Sequence, residues 1–153
     1  QNIVIGGAAG AFPPIIGWTI ATNSISLEPL LLFLIIFFWT PSHFWALSLY
    51  KTDDYSNAKI PMLPVVSGIK ITKINIFIYS IILFLISLSP YFFGFNGPIY
   101  LFVSAILGIY YVYLCYKLLV TTNEDKVIAK KIFVYSILYL FLIFIIILID
   151  SII

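Results

Sequence analysis

Five long apolar stretches, each free of Asp, Glu, Lys and Arg, organise this chain of 153 residues: 3–21, 29–50, 74–93, 98–116 and 132–149. A helix needs about 20 mainly apolar residues to cross the hydrocarbon core of a bilayer, and every stretch comes close to that length. The pattern predicts an all-α fold, a polytopic transmembrane helical bundle with five spans in a single membrane domain over 1–153. Two short turns, 22–28 and 94–97, and two longer polar loops, 51–73 and 117–131, join the spans. Only the long loops have room for much polar chemistry.

Composition agrees with the pattern. With 63% hydrophobic and 9% charged residues and a mean hydropathy of +1.15, the chain is no soluble globular domain. The charges are few but sorted. Lys51, Lys59, Lys70 and Lys73 lie in one long loop and Lys117, Lys126, Lys130 and Lys131 in the other. Five spans put both loops on one side, which the excess of basic residues marks as cytoplasmic. Gln1 then starts on that side and 150–153 end on the other. There is no arginine, so bidentate clamps on an anionic ligand are unavailable, and nothing points to nucleic acid as a partner. Cys115 is the single cysteine; it forms no intrachain disulfide and reads as a small buried hydrophobe. The chain opens on Gln1 with neither methionine nor a signal-type segment, and is expected to be a piece of a longer protein.

The first span begins with a patch of small residues from Gly6 to Ala11, in which Gly6 and Gly10 have the G-x-x-x-G spacing that lets helix backbones approach closely. It is expected to be an interior helix, bent where Pro13 and Pro14 remove two backbone donors.

Most of the candidate chemistry falls between Trp39 and Gly68, in W-T-P-S-H-F-W-A-L-S-L-Y-K-T-D-D-Y-S-N-A-K-I-P-M-L-P-V-V-S-G. His43, the lone histidine, lies about two helical turns inside the cytoplasmic boundary of the second span. Ionisable groups at such depth are costly and usually face a bundle interior or a watery cavity. If the helix runs on past Tyr50, then His43, Leu47, Tyr50 and Asp54 share one stripe, with Asp53 roughly 80° away from it. Asp53 and Asp54 are either a solvated helix end or carboxylates holding Mg2+ against a diphosphate, with Lys51 or Lys59 adding positive charge at the leaving group. Ile60-Pro61-Met62-Leu63-Pro64 is stiff and apolar, suited to a lid, a re-entrant piece or a plain connector.

The string from Trp39 to Val66, preceded by G-G-A-A-G-A-F-P-P-I-I-G-W, resembles the UbiA-type intramembrane prenyltransferases, and among them the heme-farnesylating branch. The likeness is densest from Asn2 to Gly68 and extends to K-K-I-F-V-Y-S-I-L-Y-L near the end. Ser42 departs from it, since the family tends to read Pro-Pro-His there; a looser kink is expected, with His43 untouched.

The resemblance implies nine transmembrane helices, of which these five are the last, and two aspartate-rich motifs. The second motif falls on Tyr50 to Tyr55. Asp54 then matches the metal-diphosphate carboxylate with Asp53 as helper, Lys51 a basic position of the motif, and His43 the histidine of P-H-F-W. The implied reaction transfers a farnesyl group from farnesyl diphosphate to a vinyl group of heme B with addition of water, giving heme O and diphosphate, with Mg2+ as cofactor. Trp39, Phe44, Trp45 and Tyr50 are expected to line a dry aromatic cavity for the carbocation, and tyrosines such as Tyr91, Tyr100 and Tyr116 to sit at the membrane interfaces. His43 is left as a structural, substrate-contacting, proton-handling or heme-facing residue. The implied setting is a bacterial cytoplasmic membrane, with possible contact to a terminal oxidase assembly or a heme A synthase. Rival readings are a prenyltransferase for a quinone or chlorin precursor, and a transporter or structural membrane subunit.

Overall fold

A computed structural model describes residues 2–58, 60–122 and 125–152. Among them every regular element is helical: α1 (Asn2–Ala11), α2 (Pro13–Thr22), α3 (Leu27–Tyr50), α4 (Thr52–Asn57), α5 (Leu63–Ser67), α6 (Ile69–Phe92), α7 (Pro98–Val120) and α8 (Asp125–Asp150). Taking α1 and α2 together, five helical segments are long and apolar enough to cross a membrane. The chain is an integral membrane protein built as a polytopic helical bundle.

Four helices form a ring in which α3 touches α6, α6 touches α7, α7 touches α8, and α8 returns to α3. Tyr111 on α7 and Tyr139 on α8 fill its centre, buried and stacked with centroids 5.4 Å apart. A buried phenol needs a partner for its hydroxyl, and serines supply it across the diagonals. Tyr111 donates to Ser42 Oγ on α3 at 2.9 Å, and Tyr139 to Ser87 Oγ on α6 at 2.7 Å. Ser42, Ser80, Ser104 and Ser136, one from each ring helix, are fully buried, and each hydroxyl bonds the carbonyl three residues back. Small polar residues of this kind let membrane helices pack closely without orphaned polar groups. Tyr100, in the first turn of α7, is fully buried and donates to the Ser87 carbonyl at 2.6 Å.

The lysine-rich segments meet at one end of the ring. Buried Lys73, on the first turns of α6, reaches Asp125 Oδ1 at 2.6 Å and the Thr121 carbonyl at 2.7 Å, tying α6 to the α7–α8 connection. Lys70 and Lys73 therefore belong to α6, which begins at Ile69, before the start that the apolar run marked. Gly68 permits this tight entry with φ +85°, a conformation that side-chain-bearing residues rarely adopt. At the other end the Asp150 carboxylate accepts from the backbone N–H groups of Gly97 at 2.5 Å and Tyr100 at 3.4 Å, capping the first turn of α7.

The first span corrects an expectation. It is interrupted at Phe12, where Pro13 and Pro14 begin a new helix, and among the five spans it is the most exposed, only 11% of it buried. It packs on the outer side of α3 and is no interior helix of this bundle. Its close approach also uses different residues from those expected. A Cβ added at Gly7 would stand 2.9 Å from Thr40 Cγ2, whereas Cβ atoms at Gly6 and Gly10 would meet nothing within 4 Å. The small pair facing α3 is Gly7 and Ala11, one residue out of register with Gly6 and Gly10.

Candidate functional site

His43 sits on the seam between α3 and α8. Pro41 lies inside α3 and the helix continues through it. Ser42, where the resembling family tends to carry a second proline, is held from two sides: its hydroxyl donates to the Trp39 carbonyl at 3.0 Å and accepts from Tyr111. Ser42 thus links its own helix turn to α7. One residue on, the His43 ring is 8% exposed and lies between the near-parallel rings of Trp39, centroids 4.3 Å apart, and Phe133, 4.7 Å apart. Its Nδ1 is 2.7 Å from Ser136 Oγ on α8. Trp39 Nε1 donates to the Ser136 carbonyl at 2.8 Å, closing the same seam a second time.

The acidic pair lies on a separate element. α3 ends at Tyr50; Lys51, at φ −106° and ψ 26°, breaks the helical path, and α4 starts again at Thr52. The continuous stripe from His43 to Asp54 therefore does not form, because a helical register does not carry across a break in φ and ψ. Asp53 and Asp54 occupy the first turn of α4, both exposed. Asp54 pairs with Lys51 at 2.9 Å, and Asp53 reaches across to Lys126 on α8. The hydrogen bond and charge of Asp54, together with Tyr50, raise the Lys51 ammonium above its ordinary pKa. Lys51 and Lys130 approach the Tyr50 ring, their Nζ atoms 5.4 Å and 5.5 Å from its centroid. Lys59 lies outside the described residues. Among the described residues no three of His, Cys, Asp and Glu gather as a ready metal cage.

The aromatic residues expected to share one cavity line different ones. Trp39 and Phe44 face α1 across an apolar groove of about 450 Å³ with Thr40, Gly6 and Gly10 in its wall. Trp45 turns to the other side, edge-on to Tyr79 with centroids 5.1 Å apart. There it lines a second groove, of about 380 Å³, together with Ile60, Pro61, Met62 and Leu63. The proline-flanked segment thus forms one wall of a cavity.

The chain matches the description of the UbiA prenyltransferase family over residues 1–147. The chain belongs to the UbiA prenyltransferase family. It is 62% identical over 99% of its length to a protein of Pelagibacter ubique described as protoheme IX farnesyltransferase, and 55% identical over 94% to one of Rickettsia akari with the same description. It covers 51% and 47% of those proteins, so the chain spans about half the length of the curated relatives it matches. No solved structure matches it.

For a member of this prenyltransferase family, the arrangement offers two kinds of chemistry. The rim supplies carboxylates and ammonium groups in exposed, solvent-screened ion pairs, which open readily to a charged ligand. The seam supplies an imidazole whose orientation is locked. The sequence reading missed Ser136, Phe133, Lys126 and Lys130. Ser136 and Phe133 lie in the K-K-I-F-V-Y-S string, where a serine inside a long apolar span was the available signal. Lys130 opens the same string, and for Lys126 there was only its place in the second lysine-rich loop.

Proposed function

We propose that this chain supplies the diphosphate-holding and histidine-bearing part of a prenyltransferase that moves a farnesyl group from farnesyl diphosphate to a vinyl group of heme B, giving heme O and diphosphate. The observation that carries the reading is the gathering of Asp53, Asp54, Lys51 and Lys126 beside Tyr50 in a chain of this family. The names of the similar proteins supply the substrates.

Allylic transfer begins when the C–O bond to the diphosphate breaks, and it is favoured by positive charge held where the leaving group becomes more negative. Asp54 and Asp53 would hold Mg2+, which supplies that charge when bound. A pair of exposed carboxylates suits an ion that keeps several waters and takes its remaining ligands from phosphate oxygens. Lys51 and Lys126 leave their weak pairs to face the diphosphate, and Lys59, in the same loop, has the same role. Tyr50 borders this rim, and Trp45 lines the groove walled by Ile60 to Leu63, which would keep the prenyl chain and the developing cation away from water. His43 serves the acceptor side of the reaction. The lysine-rich end faces the cytoplasm of a bacterial inner membrane. The product is delivered within that membrane to a heme A synthase or a terminal oxidase assembly.

The test uses the intact protein in membranes with Mg2+, heme B and farnesyl diphosphate, the product being read by mass spectrometry. Heme O is expected. Asp54→Asn should lower kcat/KM for farnesyl diphosphate at least about tenfold, about 1.4 kcal/mol of transition-state stabilisation. Unchanged Mg2+-dependent turnover in that variant would remove the metal role, and a prenylated quinone precursor as product would overturn the choice of acceptor.

A further inference from the structure

Ser136 has one hydroxyl proton and two close neighbours. Its Oγ is 2.7 Å from the Phe133 carbonyl oxygen and 2.7 Å from His43 Nδ1. A carbonyl only accepts, so the hydroxyl proton belongs on the Phe133 side. If the proton pointed at the imidazole instead, two oxygens would face each other at hydrogen-bond distance with no proton between them. Both contacts are hydrogen bonds only when His43 carries its proton on Nδ1 and donates it to Ser136 Oγ. In the neutral ring Nε2 then keeps its lone pair. The ring cannot easily turn over to exchange its edges, because Trp39 and Phe133 hold it on both faces.

Among the described residues Nε2 has no hydrogen-bond partner. Nor is it sealed in: Trp18 Nε1 is the one fully enclosed side-chain polar atom without a partner among them. His43 is also the only histidine of the chain.

We infer that Ser136 is a positioning residue that fixes His43 in its Nδ1–H form and so presents Nε2 as a neutral base to the reaction. Its use rests on the function proposed above. In that reaction the farnesyl C–O bond breaks and its electron pair leaves with the diphosphate. The farnesyl carbon bonds to one vinyl carbon, and water bonds to the other and must lose one proton. Nε2 takes that proton. The Nδ1–H bond to Ser136 is the same in the neutral and the protonated ring, so the base changes charge without rearranging its support.

The test is 15N NMR of the intact protein, labelled at histidine and held in lipid nanodiscs, with His43→Gln identifying the signal. The wild type should show a protonated Nδ1 and a bare Nε2. Ser136→Ala keeps the Trp39 bond, which goes to the backbone carbonyl, but should shift the population toward the Nε2–H form and lower kcat about tenfold with little change in KM. Ser136→Thr should restore both. An Nε2–H wild type, or a Ser136→Ala protein with the tautomer unchanged, overturns the inference even if the alanine variant is unstable in other respects. The NMR result stands apart from turnover: a correct tautomer in a protein that makes no heme O would refute the proposed reaction and leave the role of Ser136 in place.

Discussion

Tyr111 and Tyr139 stack in the middle of the bundle with 5.4 Å between ring centroids and 21° between planes, while their hydroxyls bond serines on two other helices. The two side chains thereby connect all four helices of the ring. Tyr111→Phe keeps the ring and removes the bond to Ser42, leaving one acceptor site of that hydroxyl without a donor. A loss of about 1 kcal/mol is expected. Thermal unfolding in detergent should show it, and a double-mutant cycle with Ser42→Ala should show the two losses coupled; additive effects would mean that the bond contributes nothing.

The Lys73–Asp125 pair is of a different kind, because Lys73 is buried and holds two acceptors at once. Taking away one partner leaves a charge in a place poor in water. Asp125→Ala should therefore destabilise the bundle by about 3 kcal/mol, and Lys73→Met combined with Asp125→Leu should recover much of it. The measurement is again a melting curve, and a single variant as stable as the wild type would contradict the geometry.

Asp53 and Lys126 make an exposed pair, for which a contribution below about 1 kcal/mol is expected. Lys126→Gln should leave the melting temperature almost unchanged. If the lysine turns to the diphosphate as proposed, the same variant should raise KM for farnesyl diphosphate several-fold. An unaltered KM would confine Lys126 to the surface pair.

Along α1 the three glycines should respond unequally. Gly7→Leu drives a side chain into Thr40 and should cost about 1–3 kcal/mol, the usual range for overpacking. Gly6→Ala and Gly10→Ala meet open space and should be tolerated in folding. Equal losses at all three positions, read from yield and melting temperature, would refute the packing register described for α1.

The site was legible in the sequence only in part. His43 and the Asp53–Asp54 pair stand out there because ionisable groups are rare in so apolar a chain. Their relationship does not follow from it, since a single helix would put His43 and Asp54 on one stripe whereas the backbone breaks at Lys51. Trp45 likewise shares a short string with Trp39 and Phe44, yet helical rotation turns it to another cavity.

By itself the sequence determined the helical class, five spans and the sorting of lysines, all of which depend on the length of apolar runs and the placing of charges along the chain. The tertiary structure alone decided that His43 meets Ser136 across 93 positions and that Asp53 meets Lys126 across 73. In a soluble helix the polar face reveals which side is buried. In a membrane helix both the lipid-facing and the core-facing sides are mainly apolar, and a few serines mark the inner side without naming a partner, so only the packed bundle selects which residues meet.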